Sequence, residues 1–249
     1  MAATENTAVQ EPPVVVNPGK DEIRTVAGVP YRRMGVHTHV LDRTDDICDV
    51  ARRYVAPHCQ PGDMIVLSEK ALGCTQGRAI KLTDIHPRPL ARLLSRFVTK
   101  TPAGIGLGMP ETMEMAFQEV GTPRILLATV VSAVGKLFGR RGWFYIVAGP
   151  KASSIDGPCS YTLPPYNQYV SLAPADPATA AREIAQAIGN NVGVAVIDLN
   201  DLGGSVLGSY GLSVSPETLV EILRDNPLGQ ASQRTPFGII RACAGSSEG

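Results

Sequence analysis

Residues 174–204 read PADPATAAREIAQAIGNNVGVAVIDLNDLGG, and this stretch carries the fold class. Asp176 followed by Pro177 is a helix start, because a carboxylate can take up the first free N–H groups and proline fits the first helical position without losing a bond. Gly189 supplies the freely rotating residue that ends a helix, so a helix is expected over 177–188. VAVID then forms an apolar run closed by a charge, a strand whose last residue is Asp198. A capped helix feeding a strand is the repeating step of a mixed α/β or α+β chain.

The same grammar recurs on both sides. Downstream, Ser215-Pro216 opens a helix carrying Leu219, Ile222 and Leu223, and PFGIIR (236–241) is a closing strand. Upstream, TDDICDVARRYVAP (44–57) is a helix capped by Thr44, with Asp45 and Asp46 at the positive end of its dipole and Ile47, Val50, Ala51 and Tyr54 on one face. MIVLS (64–68) and RAIKL (78–82) are short strands joined by a charged turn. RPLARLLSRFV (88–98) is a helix expected to pack on the sheet through Leu90, Leu93, Leu94, Phe97 and Val98. PETMEMAFQEV (110–120) is another helix. RILLATVVSAVGKLFG (124–139) fits a buried helix or a strand, while FYIV (144–147) and QYVSL (168–172) are expected strands.

Lys and Arg total 23 against 23 Asp and Glu, which leaves no surplus charge to grip a phosphodiester backbone, so nucleic acid is not an expected partner. No stretch reaches the roughly 20 apolar residues of a membrane span, and the first residues lack the basic start and apolar centre of a signal peptide; a cytoplasmic location is expected. The five cysteines form no Cys-x-x-Cys pair and are expected as free thiols. Residues 1–20 and 243–249 read as loosely attached ends around one domain over 21–242, which could comprise two lobes.

The chemistry-bearing candidates are few. GIGLGMP (104–110) does not complete a dinucleotide-binding motif and follows no strand, and Gly135-Lys136 lacks the Ser or Thr of a phosphate loop. At the end of VAVIDLNDLGG, Asp198, Asn200 and Asp201 could meet a hard divalent cation; a capped turn with Asp201 in solvent is the other reading. Asp156 in AGPKASSIDGP could add a carboxylate, or simply mark an Asp-Gly turn. In SEKALGCTQGR (68–78), Lys70 and Arg78 could neutralise phosphate while Gly73 and Gly77 let the backbone approach it; a solvated hairpin accounts for the same residues. His37 and His39 in VHTHV alternate on one strand face as a possible metal or acid-base pair, while Thr38 and the neighbouring Arg32 and Arg33 could equally serve an anionic substrate.

Taken in order, GDMIVLSEKALGCTQGRAIKL (62–82), VAGPKASSIDGP (147–158), LAPADPATAAREIAQAI (172–188) and VAVIDLNDLGG (194–204) resemble the F420-0:gamma-glutamyl ligase family, whose members append glutamate to the precursor of the deazaflavin coenzyme F420. The resemblance covers about residues 60–85 and 144–240. Gly62, Asp63, Lys70, Gly77 and Arg78 match its first motif, with Glu69 in place of Gln, Gly73 in place of Ser and Cys74 in place of a second Lys. In the second motif Ala148, Gly149, Ala152 and Ser153 match, while Lys151 stands at the metal-binding Asp and Ser154 at the Asn. In the third, Asp198 or Asp201 fills the Asp position and Leu202-Gly203-Gly204 replaces Phe-Gly-Arg. These departures, with an NPLGQ segment at 226–230, mark a divergent subgroup.

The resemblance implies an α+β fold of mixed sheets and packed helices, a homodimer, and amide synthesis from an amino acid and a carboxylic acid through an acyl phosphate, using GTP or ATP with Mg2+ or Mn2+. It places Asp156, Asp198 and Asp201 on the metal. Glu69, Lys70, Gly73, Arg78, Ser153 and Ser154 would contact the nucleotide, Asp198, Asn200 and Lys151 would take catalytic roles, and Arg33, His37 and His39 would meet the acid. A relative that binds a nucleotide or small anion without turnover is the competing expectation.

Overall fold

The computed structural model describes residues 14–98, 106–140, 142–160, 162–200, 203–229 and 232–243. In chain order the strands are β1 (Val14–Val15), β2 (Ile23–Val26), β3 (Val29–Val36), β4 (Met64–Ser68), β5 (Ala79–Lys81), β6 (Tyr169–Ser171), β7 (Gly193–Asn200), β8 (Gly203–Tyr210) and β9 (Phe237–Ala242). The helices are α1 (Ile47–Val50), α2 (Glu69–Thr75), α3 (Pro89–Leu94), α4 (Pro110–Val120), α5 (Thr122–Leu137), α6 (Trp143–Ala148), α7 (Pro150–Ser153), α8 (Pro177–Ile188) and α9 (Pro216–Ile222). The fold is α+β. Residues 1–41, 45–68 and 176–249 form one unit; residues 42–44 and 69–175 form a second.

Unit 1 is built on a sheet of order β1-β3-β9-β4-β7-β8, with β2 also pairing to β3. Only β4 and β7 run parallel; the other pairings are antiparallel. Helices cover both faces of the central strands, which explains why MIVL and VAVI are apolar without alternation. Met64, Val66, Ala195 and Ile197 pack with Leu219 and Ile222 of α9, while Ile65, Leu67, Val194 and Val196 are fully buried on the other face. Helix α8 matches its signals: the Asp176 carboxylate accepts from the Thr179 N–H, and Gly189 ends it at φ 73°. At α1 the cap is Asp46, not Thr44, because the Asp46 carboxylate accepts from both Cys48 and Asp49 N–H groups. The chain then continues through a π-helical turn at Ala51–Val55.

Three expectations for unit 1 are corrected. The stretch VAVIDLNDLGG is not a strand ending at Asp198: β7 continues to Asn200 and pairs with β8, placing Asp198 opposite Ser205. The chain is structured from Val14, not from about residue 20, since β1 pairs with β3 and the buried Asn17 amide donates to Pro227 O at 2.7 Å and Thr235 Oγ1 at 3.0 Å. His37 and His39 lie beyond β3, which ends at Val36, so they do not share a strand face.

Unit 2 is mainly helical around an aliphatic and methionine core that includes Ile85, Leu94, Leu107, Met113, Phe117, Ile125 and Ile155, with the β5–β6 ladder beside it. Here FYIV is helical, within α6. Nothing in this unit offers it a strand partner in the described ladder, and Trp143 lies on Gly135 of α5, where an added Cβ would come within 2.9 Å of the indole. The charged turn at 69–75 is α2. Helix α3 belongs to the core of unit 2 instead of packing on the sheet, and Leu93 and Phe97 point outward. RILLATVVSAVGKL is helix α5, buried at Ile125 and Ala128 but exposed along Leu127, Val130 and Leu137. Among the described residues no single helix is long and apolar enough to cross a membrane; α4 and α5 would do so only as a pair bent by 118°.

Unit 2 also encloses a carboxylate. Glu114 is 3% exposed and receives Arg88 Nη2 at 2.8 Å, the Arg88 backbone N–H at 3.0 Å and Gln118 at 3.1 Å. Burial alone would raise its pKa, but the Arg88 and Gln118 contacts outweigh burial and hold it below the usual carboxylate value. A carboxylate lowered in this way stabilises the fold above its unfolded pKa of about 4.3 and loses that contribution as pH falls through the lower folded value. Glu114→Gln is therefore expected to cost about 1–3 kcal/mol at neutral pH and to flatten the loss of stability below about pH 4. Urea midpoints measured across the acid range check both effects.

Candidate functional site

In unit 1 the direction of the strands decides where chemistry can occur. Both β3 and β4 run antiparallel to β9, and β4 runs parallel to β7. So β3, β4 and β7 end at the same edge of the sheet. Val36, Phe237, Leu67 and Val196 form one row across it; His37 and Thr38 extend just past that row on one side, Asp198 on the other. With β9 and β4 between them, these positions are three strand spacings apart, about 14 Å. Ligands of open α/β sheets bind at such carboxyl edges. Asp198 is half-buried there. Asn200 closes β7, and Asp201 lies outside the described residues.

His39 is positioned by two neighbours that its own segment does not contain. Its Nε2 lies 2.9 Å from Asp45 Oδ1 and its Nδ1 lies 3.0 Å from the Tyr54 hydroxyl. The ring is thus held between a carboxylate and a phenol hydroxyl. The Arg53 guanidinium lies 5.2 Å over the Tyr54 ring. Thr38, between the two histidines, is buried, and its backbone N–H donates to Arg234 O at 3.0 Å.

Arg33 is corrected from substrate ligand to structural cation. It is 1% exposed, pairs with the Asp225 carboxylate, and donates to Ile222 O at 3.0 Å and Asp21 O at 2.5 Å. An arginine so enclosed has no face left for a substrate.

In unit 2 the structure brings two of the sequence motifs together. Lys70 Nζ, on the first turn of α2, lies 3.0 Å from Asp156 Oδ2, with both side chains about half exposed. Asp156 is held by paired backbone bonds with Ser171, both 2.9 Å, which align it beside β6. Glu69 precedes Lys70 and is half-buried. At the far end of α2, Arg78 is anchored: Nη2 meets Glu119 Oε2 at 2.6 Å and Nε donates to Ala173 O. Gly73 serves packing, not ligand approach, for an added Cβ would press to 3.2 Å on Leu172 O. On α7, Lys151 and Ser153 are exposed, Ser153 Oγ donates to Pro150 O at 3.0 Å, and Ser154 caps the helix. Cys74, in place of the family's second Lys, is largely buried beside Tyr166; burial pushes its thiol up to about 11, so it stays protonated and uncharged.

The described residues alone do not make up a divalent-cation site. Among the described residues no three His, Cys, Asp or Glu side chains come together to hold a metal, and Asp156 already faces an ammonium. The partners that sequence reading missed, Glu119, Asp45 and Tyr54, differ in kind. Glu119 is 41 residues from Arg78 and carried no signal; Asp45 and Tyr54 flank one short helix close to His39.

A comparison with known protein families matches residues 35–216 to F420-0:Gamma-glutamyl ligase. That span is well over half of the 249 residues, and the chain belongs to the F420-0:gamma-glutamyl ligase family. No curated protein matches it. Strands β1, β2 and β9 and the NPLGQ segment fall outside the matched span.

Proposed function

We propose that this protein joins an amine to a carboxylic acid, consuming GTP or ATP through an acyl phosphate. The observation that supports this reading best is the shared carboxyl edge of β3, β4 and β7, where His37 follows one strand and Asp198 lies near the end of another. Transfer of the terminal phosphoryl group to the acid gives an acyl phosphate and the nucleoside diphosphate. The amine then attacks the acyl carbon, the C–O bond to phosphate breaks, and amide, inorganic phosphate and a proton leave.

Within unit 2, Lys70 and Lys151 would meet phosphoryl oxygens. Lys70 would exchange its Asp156 partner for a phosphate oxygen, a swap that half-exposed side chains can make at little cost. Unit 1, taken by itself, offers His37 for an acidic group and Asp198 for an ammonium and its proton at the carboxyl edge of its sheet.

A non-catalytic anion-binding relative is the second reading, favoured by Lys151 at the family's acidic position and by Lys70 already paired with Asp156. Incubation with GTP or ATP, glutamate and candidate acids, with and without Mn2+, separates the two. Amide and nucleoside diphosphate released one for one support the ligase. Saturable nucleotide binding with no diphosphate formed supports the relative. Asp198→Ala is expected to lower product formation on the order of 100-fold with its melting temperature nearly unchanged; full activity in that variant removes Asp198 from the reaction.

A further inference from the structure

A cavity of about 690 Å3 opens in unit 2 between α3 and the start of α4. Its lining includes Arg92, Arg96, Glu111, Pro87, Val98 and Pro110, and none of Lys70, Arg78 or Asp156. The volume falls in the range of small-molecule sites, roughly 300–1,000 Å3.

Two features of the walls specify a ligand. Arg92 and Arg96 are four residues apart on one continuous helical segment and so project on one side. Arg92 Nε donates to Pro87 O at 3.1 Å, which aims the guanidinium and leaves its two terminal nitrogens available. Among the described residues neither arginine has a carboxylate partner. Across the cavity stands the N-terminus of the 11-residue α4. Met109 provides no side-chain cap there, and the first intrahelical bond is Met113 N to Met109 O at 3.0 Å. The Glu111 and Thr112 N–H groups are thus the positive end of the helix, on the same cavity as two unneutralised guanidinium groups. Pro87, Val98 and Pro110 supply apolar wall.

We infer that this cavity binds a small organic anion: a phosphate or carboxylate head held by Arg92 and Arg96, joined to a compact apolar body lying on Pro87, Val98 and Pro110. Glu111 is the acidic side chain of the lining, and its charge opposes the ligand's. The inference does not depend on the ligase reading.

Titration calorimetry of the full chain with phenyl phosphate, benzoate and inorganic phosphate tests it. Phenyl phosphate or benzoate should bind saturably at one site, tighter than inorganic phosphate, and their order identifies the preferred head group. Arg92→Gln/Arg96→Gln should weaken binding by at least about tenfold, whereas Glu111→Gln should tighten it severalfold. All three side chains are at least partly exposed, so melting temperatures should stay close to that of the unaltered protein. Unchanged affinity in the double arginine variant, weaker binding in Glu111→Gln, inorganic phosphate binding as well as the aromatic anions, or no saturable binding overturns the inference.

Discussion

Asp225→Ala is expected to destabilise unit 1 by about 3–5 kcal/mol, a large part of the roughly 5–15 kcal/mol that holds a domain together. The reason lies in the asymmetry of the pair. Arg33 is 1% exposed, whereas the Asp225 side chain is 31% exposed. Removing the carboxylate leaves an enclosed guanidinium with only backbone acceptors, at Ile222 and Asp21. Removing the cation instead leaves a carboxylate that water and Arg24, 3.6 Å away, can still serve. Arg33→Met should therefore cost clearly less than Asp225→Ala. Burial alone would raise the Asp225 pKa, yet hydrogen bonding and charge from Arg33 hold it below the usual value. Its contribution is complete above about pH 4 and fades at lower pH. Denaturant midpoints of the two variants decide the matter: equal costs, or a loss under about 1 kcal/mol for Asp225→Ala, would show that the enclosed charge is compensated elsewhere. Arg33→Met should also retain turnover per folded molecule, since Arg33 has no surface for a substrate.

Lys70→Ala should lower kcat/KM for amide formation on the order of 100- to 1,000-fold, the usual cost of deleting a group that meets developing charge on a phosphoryl or acyl oxygen. The fold should hardly notice. The pair with Asp156 is half exposed on both sides, and such pairs contribute at most about 1 kcal/mol. Asp156→Asn gives the contrasting result: nucleotide binding tightens, because the Asp156 charge no longer competes for Lys70. Opposite shifts in nucleotide affinity from two residues in mutual contact cannot arise from a shared loss of structure. A Lys70→Ala enzyme with unaltered nucleotide affinity would exclude Lys70 from the site.

Much of this architecture is legible in the chain, and the failures have physical causes. Helix α8 is announced by Asp176, Pro177 and Gly189, and α4 by Pro110, because capping is local chemistry. Strand β8 is not, since GGSVLGSY is rich in glycine and serine and resembles a loop; it forms a strand because β7 offers it a ladder. FYIV is too short for its periodicity to separate helix from strand. Arg33 did leave a signal: it alternates with Tyr31, which packs against α9, so period two places the arginine on the same inner face. The Lys70–Asp156 contact left none, because residues 86 positions apart meet only through the completed unit.

The position of β9 has consequences for how the molecule comes into being. It lies between β3 and β4 and is the last strand in chain order among the described residues, so Met34 waits for Ile239 to complete its ladder. As the nascent polypeptide leaves the ribosome, the sheet of unit 1 stays in two halves, β1-β2-β3 and β4-β7-β8, until β9 emerges. High contact order of this kind makes unit 1 the slow folder. A message truncated shortly before codon 237 would yield a sheet that never closes.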